Sequence, residues 1–279
     1  MSTLSLLAFD PESVSWGCGV QSNYLAVGAI VPLVRTGVGA VVAQGVGDPN
    51  IARRVLDGLS RGRSPGDALE AALHGDPLKH QRQLAVLNST GQSAAFTGDE
   101  CRPEAKAIGG DGVVAIGNLA VEGAIAASLG GFVSAPDGAL ARRLLAGMLA
   151  GSAAGGDRRG ALAAGLLVGG ARFSHVGAPD RAVDLRADAS ALPLNDLARM
   201  LDVHELYYDP PSPAPWLDRA GFDDGTQALL SGFMKAAGES DWRDVFESLN
   251  LAHRYDAQRD LIDPLVPSRL RSLALSMAT

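Results

Sequence analysis

The chain opens on short apolar blocks separated by polar turns. Thr3 to Ala8 is mostly apolar and reaches the turn Asp10-Pro11-Glu12-Ser13, after which Gly17 to Val20 forms a second block. Strand, turn and strand predict a hairpin, with Asp10 capping the turn. Val38 to Ala43 is a glycine-punctuated, β-branched run that predicts a buried strand. The period then changes. Ile51, Val55, Leu56 and Leu59 recur at helical spacing after Asp48-Pro49, and Leu69, Ala72 and Leu73 do so after Ser64-Pro65. Both helices start on a capping residue followed by proline. Gln83 to Leu87 and Ala94 to Thr97 flank Ser89-Thr90-Gly91-Gln92 and predict a second hairpin. A strand at Val113 to Ile116, helices at Ala120 to Leu129 and Ala139 to Ala150, strands at Leu162 to Val168 and Ala182 to Leu185, and a helix at Pro193 to Tyr207 complete this part.

Helices therefore come in pairs between groups of strands. A doubly wound parallel sheet places one helix in each crossover. Paired helices instead favour antiparallel sheets covered by helix pairs, an α/β (α+β) layered class. Pro210, Pro211, Pro213 and Pro215 make a stiff segment. It separates a main domain, residues 1–209, from a small helical domain, residues 216–279. Leu217, Phe222, Leu229, Leu230, Phe233, Trp242, Val245, Phe246 and Leu249 are the expected core of the small domain.

Composition narrows the class without naming a function. The net charge is −7 and 20% of residues are charged, which does not suggest the clustered basic surface of a nucleic-acid-binding protein. Gly28 to Val34 is too short to span a bilayer, and Met1 to Ala8 lacks the features of a signal peptide, so the expectation is a soluble cytoplasmic protein without a membrane partner. Cys18 and Cys101 are expected to be buried free thiols, and the five histidines show no ligand spacing, so neither metal nor cofactor is expected. The 34 glycines imply close approach of layers, and the Gly/Ala-rich helices permit a homodimer.

Six segments carry a family resemblance. Thr3 to Glu12, Ala26-Val27-Gly28-Ala29-Ile30-Val31-Pro32, Gly37 to Gln44, Ala95-Phe96-Thr97-Gly98, Gly117-Asn118-Leu119-Ala120 and Gly155-Gly156-Asp157-Arg158-Arg159-Gly160 occur in order. Together they resemble the N-terminal-nucleophile (Ntn) hydrolase-like family catalogued as domain of unknown function 1028. The resemblance implies a four-layer αββα sandwich of the Ntn type. The tail from Trp216 resembles a small helical domain of peptidoglycan-binding type. Asn23 stands where the family often has His, and Leu33 where it often has Trp, which implies an altered pocket.

The resemblance also implies a chemistry. An Ntn hydrolase attacks a carbonyl with the hydroxyl or thiol of its first residue, whose free α-amine is the general base. Thr3 and Ser2 are the candidate nucleophiles, with Thr3 at the catalytic position. Successive strand residues face opposite sides, so the two cannot share one pocket. Asn118 is the candidate oxyanion donor, and a helix N-cap is its structural alternative. Arg158 is the candidate anchor for a substrate carboxylate, the alternative being an ion pair of Asp157 with an arginine that fixes the loop. Asp157, Gln44 and Asn23 join it as candidate substrate-binding residues. The expected function is that of an amidohydrolase acting on a small amide- or urea-like substrate, a hydrolase of non-peptide C–N bonds. The alternative is a non-catalytic binding or scaffold protein that keeps the fold.

Overall fold

The structure, a computed structural model, describes residues 3–102, 104–135, 138–170, 177–218 and 221–277. The chain divides into two compact units, residues 1–197 and 198–279.

In the first unit, β1 (Thr3–Asp10) and β2 (Ser15–Ser22) form the expected hairpin, with the Asp10 carboxylate accepting from the backbone of Glu12 and Ser13. There follow α1 (Val27–Ile30), β3 (Pro32–Arg35), β4 (Gly39–Gly45), α2 (Pro49–Ser60), α3 (Pro65–Leu73), β5 (Arg82–Asn88), β6 (Ser93–Thr97), β7 (Lys106–Gly110), β8 (Val113–Asn118), α4 (Ala124–Val133), α5 (Leu140–Ala153), β9 (Ala163–Gly170), β10 (Val183–Ala187) and α6 (Pro193–Tyr208). The strands make two sheets, in the orders β10-β9-β2-β1-β8-β7 and β3-β4-β5-β6. Every pairing in both is antiparallel.

Strand alternation decides what each face meets. Leu7, Cys18, Val20 and Ile116 of the first sheet pack with Val42, Ala85 and Leu87 of the second in one buried cluster. The opposite face of the second sheet, Val41, Ala43, Leu84 and Val86, is covered by Ile51, Val55, Leu56, Leu69 and Leu73 of α2 and α3. Asp48 and Ser64 cap those two helices by accepting from Asn50 N and Asp67 N. α5 lies against the first sheet. A Cβ on Gly19 would sit 2.7 Å from Met148 Cγ, and one on Gly147 would sit 2.6 Å from Leu6 Cδ2. The glycines thus permit the close layer packing that composition suggested.

Four elements differ from expectation, among them the short helix α1, which the sequence reading does not predict. β3 and β7 are strands without a clear apolar signal, and β7 is an edge strand that includes Gly109 at φ 114°. The helix expected at Ala120 starts at Ala124, because Leu119 (φ 53°) and Gly123 (φ 84°) are left-handed and hold residues 119–123 in a loop. Gly123, not Asn118, is therefore the N-cap residue of α4.

The second unit holds α7 (Asp224–Ala237), α8 (Trp242–Ser248) and α9 (Leu265–Met277). It also holds three two-residue strands, β11 (Leu217–Asp218), β12 (Tyr255–Asp256) and β13 (Leu261–Ile262), in the order β11-β13-β12. The tail is thus not purely helical. Its core is Leu206, Phe222, Leu230, Val245, Phe246, Leu249, Leu251, Ile262, Val266, Leu270 and Leu273, with Leu229, Phe233 and Trp242 partly buried around it. Leu217 is exposed rather than part of this core. The division between the units falls at 197/198, ahead of the proline segment, and Val203, Leu206 and Tyr207 of α6 belong to the second core.

Among the described residues no helix is long and apolar enough to cross a membrane, and no group of three or more His, Cys, Asp or Glu side chains is placed to hold a metal ion.

Candidate functional site

The layer between the sheets is apolar along most of its length and polar at one end. Thr3 and Ser5 follow the same alternation as Leu7, and Ser22 follows that of Cys18 and Val20, so all three join the inner face. Gln44 and Gln83 stand opposite each other in the β4–β5 ladder, and Asn118 stands opposite Thr3 in the β1–β8 ladder. All six polar side chains are buried.

Their hydrogen bonds form one network. Gln83 Nε2 donates to the Gly117 carbonyl at 2.8 Å and to Thr97 Oγ1 at 3.2 Å. A carbonyl can only accept, which fixes the orientation of the Gln83 amide. Its Oε1 must therefore face the other way, where it accepts from Gln44 Nε2 and from Asn118 Nδ2, both at 2.8 Å. Gln44 in turn presents Oε1 to Ser5, whose hydroxyl donates at 2.6 Å, and its Nε2 also reaches the Thr3 carbonyl at 3.4 Å. Thr3 Oγ1 donates to Ser22 Oγ at 3.4 Å. The orientation of every amide in the cluster thus propagates from one backbone carbonyl.

A second group of residues lies on loops continuous with these strands. The Asp157 carboxylate is buried and accepts from Asn23 N at 3.0 Å, Arg159 N at 2.9 Å and Arg159 Nη2 at 3.2 Å. Asn23 Nδ2 donates to the Arg159 carbonyl at 3.1 Å. Arg158 N donates to Leu119 O at 3.2 Å, and its Nε donates to Ala120 O at 3.0 Å. Val121 N and Gly156 O close the join. The left-handed backbone of Leu119, a costly conformation for a branched side chain, is held by these bonds.

Of the residues singled out from sequence, Thr3, Gln44 and Asn118 meet in the buried cluster. Asn23, Asp157 and Arg158 meet in the joined loops. The arginine that pairs with Asp157 is Arg159, and Arg158 is exposed. Ser2 lies outside the described residues. Gln83, Ser22 and Ser5 complete the cluster without a motif that marks them in the sequence. Their signal was an inward polar residue in an otherwise apolar strand, but that face is known only once the register is known. Burial pushes the Cys18 thiol well up, away from thiolate character, and Cys101 is only half-buried, its thiol raised mainly by burial.

Two antiparallel sheets with paired helices and a polar end to their shared layer define a mixed α/β protein with a buried polar cluster in that layer. The model of a family of unknown function, DUF1028, matches residues 3–197, and the chain belongs to that family. A crystal structure of a DUF1028 protein from Silicibacter pomeroyi is similar at a TM-score of 0.67 and 29% identity, covering 74% of this chain and 90% of that one. No curated protein matches the chain.

Proposed function

We propose that the first unit is an αββα sandwich of the Ntn type and a cytoplasmic amidohydrolase for small amide- or urea-like substrates, with Thr3 as nucleophile. The observation that carries this reading is the position of Thr3: at the start of β1, on the inner face, opposite Asn118 and beside Ser22. Removal of Met1 and Ser2 would give Thr3 a free α-amine, with a pKa near 8 that suits a general base at neutral pH. The amine takes the hydroxyl proton as Oγ1 bonds to the substrate carbonyl carbon. The C–N bond then breaks, the leaving nitrogen takes that proton, and water hydrolyses the ester. Asn118 is the donor nearest in register for the developing oxyanion. Arg158, exposed on the joined loop, is the proposed anchor for a substrate carboxylate, with Asp157 and Asn23 shaping that loop. The tail is proposed as a small binding module of peptidoglycan-binding type.

A second reading has its own support. Asn118 Nδ2 and Gln44 Nε2 already donate to Gln83, so the cluster is closed on itself in the way a purely structural polar network is. On this reading the unit is a non-catalytic binding protein or scaffold.

Intact-mass measurement of the protein purified from its native source, followed by a screen of small amides and ureas, separates the two. The catalytic reading expects a chain that begins at Thr3 and turnover abolished by Thr3→Ala but not by Ser2→Ala. Retention of Met1 or Ser2 leaves Thr3 with a non-basic amide nitrogen and supports the scaffold.

A further inference from the structure

One arginine-lined cavity of the first unit shares no residue with the buried cluster. It encloses about 370 Å³ between α1, β3, the start of α2, β9 and β10. Its apolar wall includes Ala29, Ile30, Pro32 and Leu167, and Arg53, Arg181 and Arg186 line it together with Asp180 and Asp184.

The three arginines are not equally paired. Asp184 receives both Arg181 and Arg186, with Arg186 Nη1 at 3.3 Å, and Arg186 Nε also lies 3.6 Å from Asp188 Oδ1. Asp180 is committed to the backbone, accepting from Thr36 N at 2.6 Å. Arg53, on α2, bonds to the neutral side chain of Asn50 at 2.8 Å. Arg181 and Arg186 are thus paired with carboxylates, whereas Arg53 bonds to a neutral amide and has no carboxylate among its described partners.

The position of Arg186 is built in by the sequence below it. A Cβ on Gly28 would sit 3.0 Å from Arg186 Cγ and 2.9 Å from Gly165 Cα. Glycine at 28 therefore lets α1 press onto the β9 backbone and lets the Arg186 stem lie across the floor. Gly28 belongs to the Ala26 to Pro32 segment, which the proposed hydrolase chemistry does not use.

We propose that this groove is a separate binding site for a small organic anion, with a carboxylate or phosphate head at Arg53 and Arg186 and a short apolar body on Ala29, Ile30 and Leu167. A guanidinium binds either head in a forked, charge-assisted geometry. An apolar wall next to a few fixed polar groups is the usual make-up of a small-molecule site.

The test is calorimetric titration of the full chain, at low salt, with hexanoate, hexyl phosphate, inorganic phosphate and hexanol. Saturable binding of hexanoate or hexyl phosphate is expected, weakened about tenfold by R53Q and by R186Q, an amount typical of one lost charge-assisted bond. A29L should weaken binding without removing charge. Arg53 is exposed on α2 and bonded only to Asn50 among its described partners, so an unchanged melting temperature for R53Q keeps the test independent of folding. Whichever of the two amphipathic anions binds tighter identifies the head group. The proposal is overturned by hexanol binding as tightly as the anions, by inorganic phosphate binding as tightly as both, by R53Q and R186Q leaving affinity unchanged, or by the absence of saturable binding.

Discussion

Gln44 Nε2 donates to Gln83 Oε1 at 2.8 Å across the β4–β5 pair, and the same oxygen accepts from Asn118 Nδ2. One acceptor therefore holds residues from both sheets, while the Gln83 amide nitrogen is anchored on the Gly117 carbonyl of the first sheet. A polar network in a buried layer stabilises only when all of its members are satisfied.

Replacing Gln83 with leucine keeps the volume and removes both functions of the amide. Gln44 Nε2, Asn118 Nδ2 and the Gly117 carbonyl each lose a partner, and an unsatisfied buried group costs about 1–3 kcal/mol. We expect Gln83→Leu to destabilise the chain by about 3 kcal/mol or more in urea denaturation. Gln83→Glu presents a carboxylate to the Gly117 carbonyl at neutral pH. Its defect should shrink on acidification, because a protonated Glu can donate there. A Gln83→Leu variant as stable as the parent would remove this network from the account of the fold.

Glycines in α4 and α5 give a paired prediction with opposite signs. A Cβ on Gly147 would lie 2.6 Å from Leu6 Cδ2 and 2.8 Å from the Ser128 carbonyl, whereas one on Gly130 would meet nothing within 4 Å. Alanine is favoured over glycine within a helix by up to about 1 kcal/mol, but overpacking a close contact costs about 1–3 kcal/mol. Gly130→Ala should therefore raise the melting temperature and Gly147→Ala should lower it. If both moved the same way, the helix–helix and helix–sheet contacts would not be as close as described.

Which parts of this architecture are legible in the sequence follows from the range of the interactions involved. The helices α2 and α3 announce themselves through local signals: the spacing of Ile51, Val55 and Leu56, and caps at Asp48 and Ser64. The start of α4 does not, because Leu119 adopts a left-handed backbone whose carbonyl is held from a distant loop, by Arg158 N. Asn118 and Thr3 were recognisable as candidates, through the family resemblance. Gln83 was not, since its role depends on the long-range register that sets it opposite Gln44 and near Gly117. In the tail the apolar spacing of α7 and α8 was readable. Strands of two residues are too short to carry a period, and arginine is seldom a core residue, so nothing local in the sequence marks Arg254.

Acid sensitivity should arise at the Asp76–Arg82 pair. Arg82 Nε and Nη2 reach the Asp76 carboxylate at 2.9 and 3.3 Å, with both side chains less than 10% exposed, at 8% and 7%. The hydrogen bond from Arg82 holds the Asp76 carboxyl below its ordinary range. A carboxyl whose folded pKa is depressed contributes its full stability above the unfolded value, about 3.9, and loses it as pH falls through the folded value. Asp76→Asn should therefore be less stable than the parent at neutral pH, and the gap should close below about pH 4. Denaturation midpoints measured across that range check the sign. A gap that widens on acidification would mean that Asp76 is not stabilised as the anion.

The second unit is organised around a single guanidinium. Arg254 is fully buried and donates to the carbonyls of Glu205, Leu206, Asp209 and Pro210 and, at 2.7 Å, to the carboxylate of Asp263, itself fully buried. Four of these acceptors lie at or just beyond the end of α6, where carbonyls run short of intrahelical donors, although Glu205 O also accepts from Asp209 N. Asp263 also accepts from Ser212 N and Leu265 N, so the proline segment and the start of α9 are tied to the same ion pair. A lysine could neutralise Asp263 but could not reach so many acceptors, because its donors radiate from one atom. Removing one partner of a buried pair leaves the other charge uncompensated and costs about 3–5 kcal/mol. We expect Arg254→Met to lower the stability of the second unit by that amount, and Arg254→Lys by a smaller but clear margin. The double change Arg254→Met with Asp263→Leu should recover part of the loss, since it removes the orphaned charge but not the lost guanidinium donors to the α6 carbonyls. Hydrogen exchange of α7 and α9 in the full chain reads this unit directly. Unchanged protection there in Arg254→Met would show that the apolar core of Phe246, Ile262 and Leu270 holds the unit without the pair.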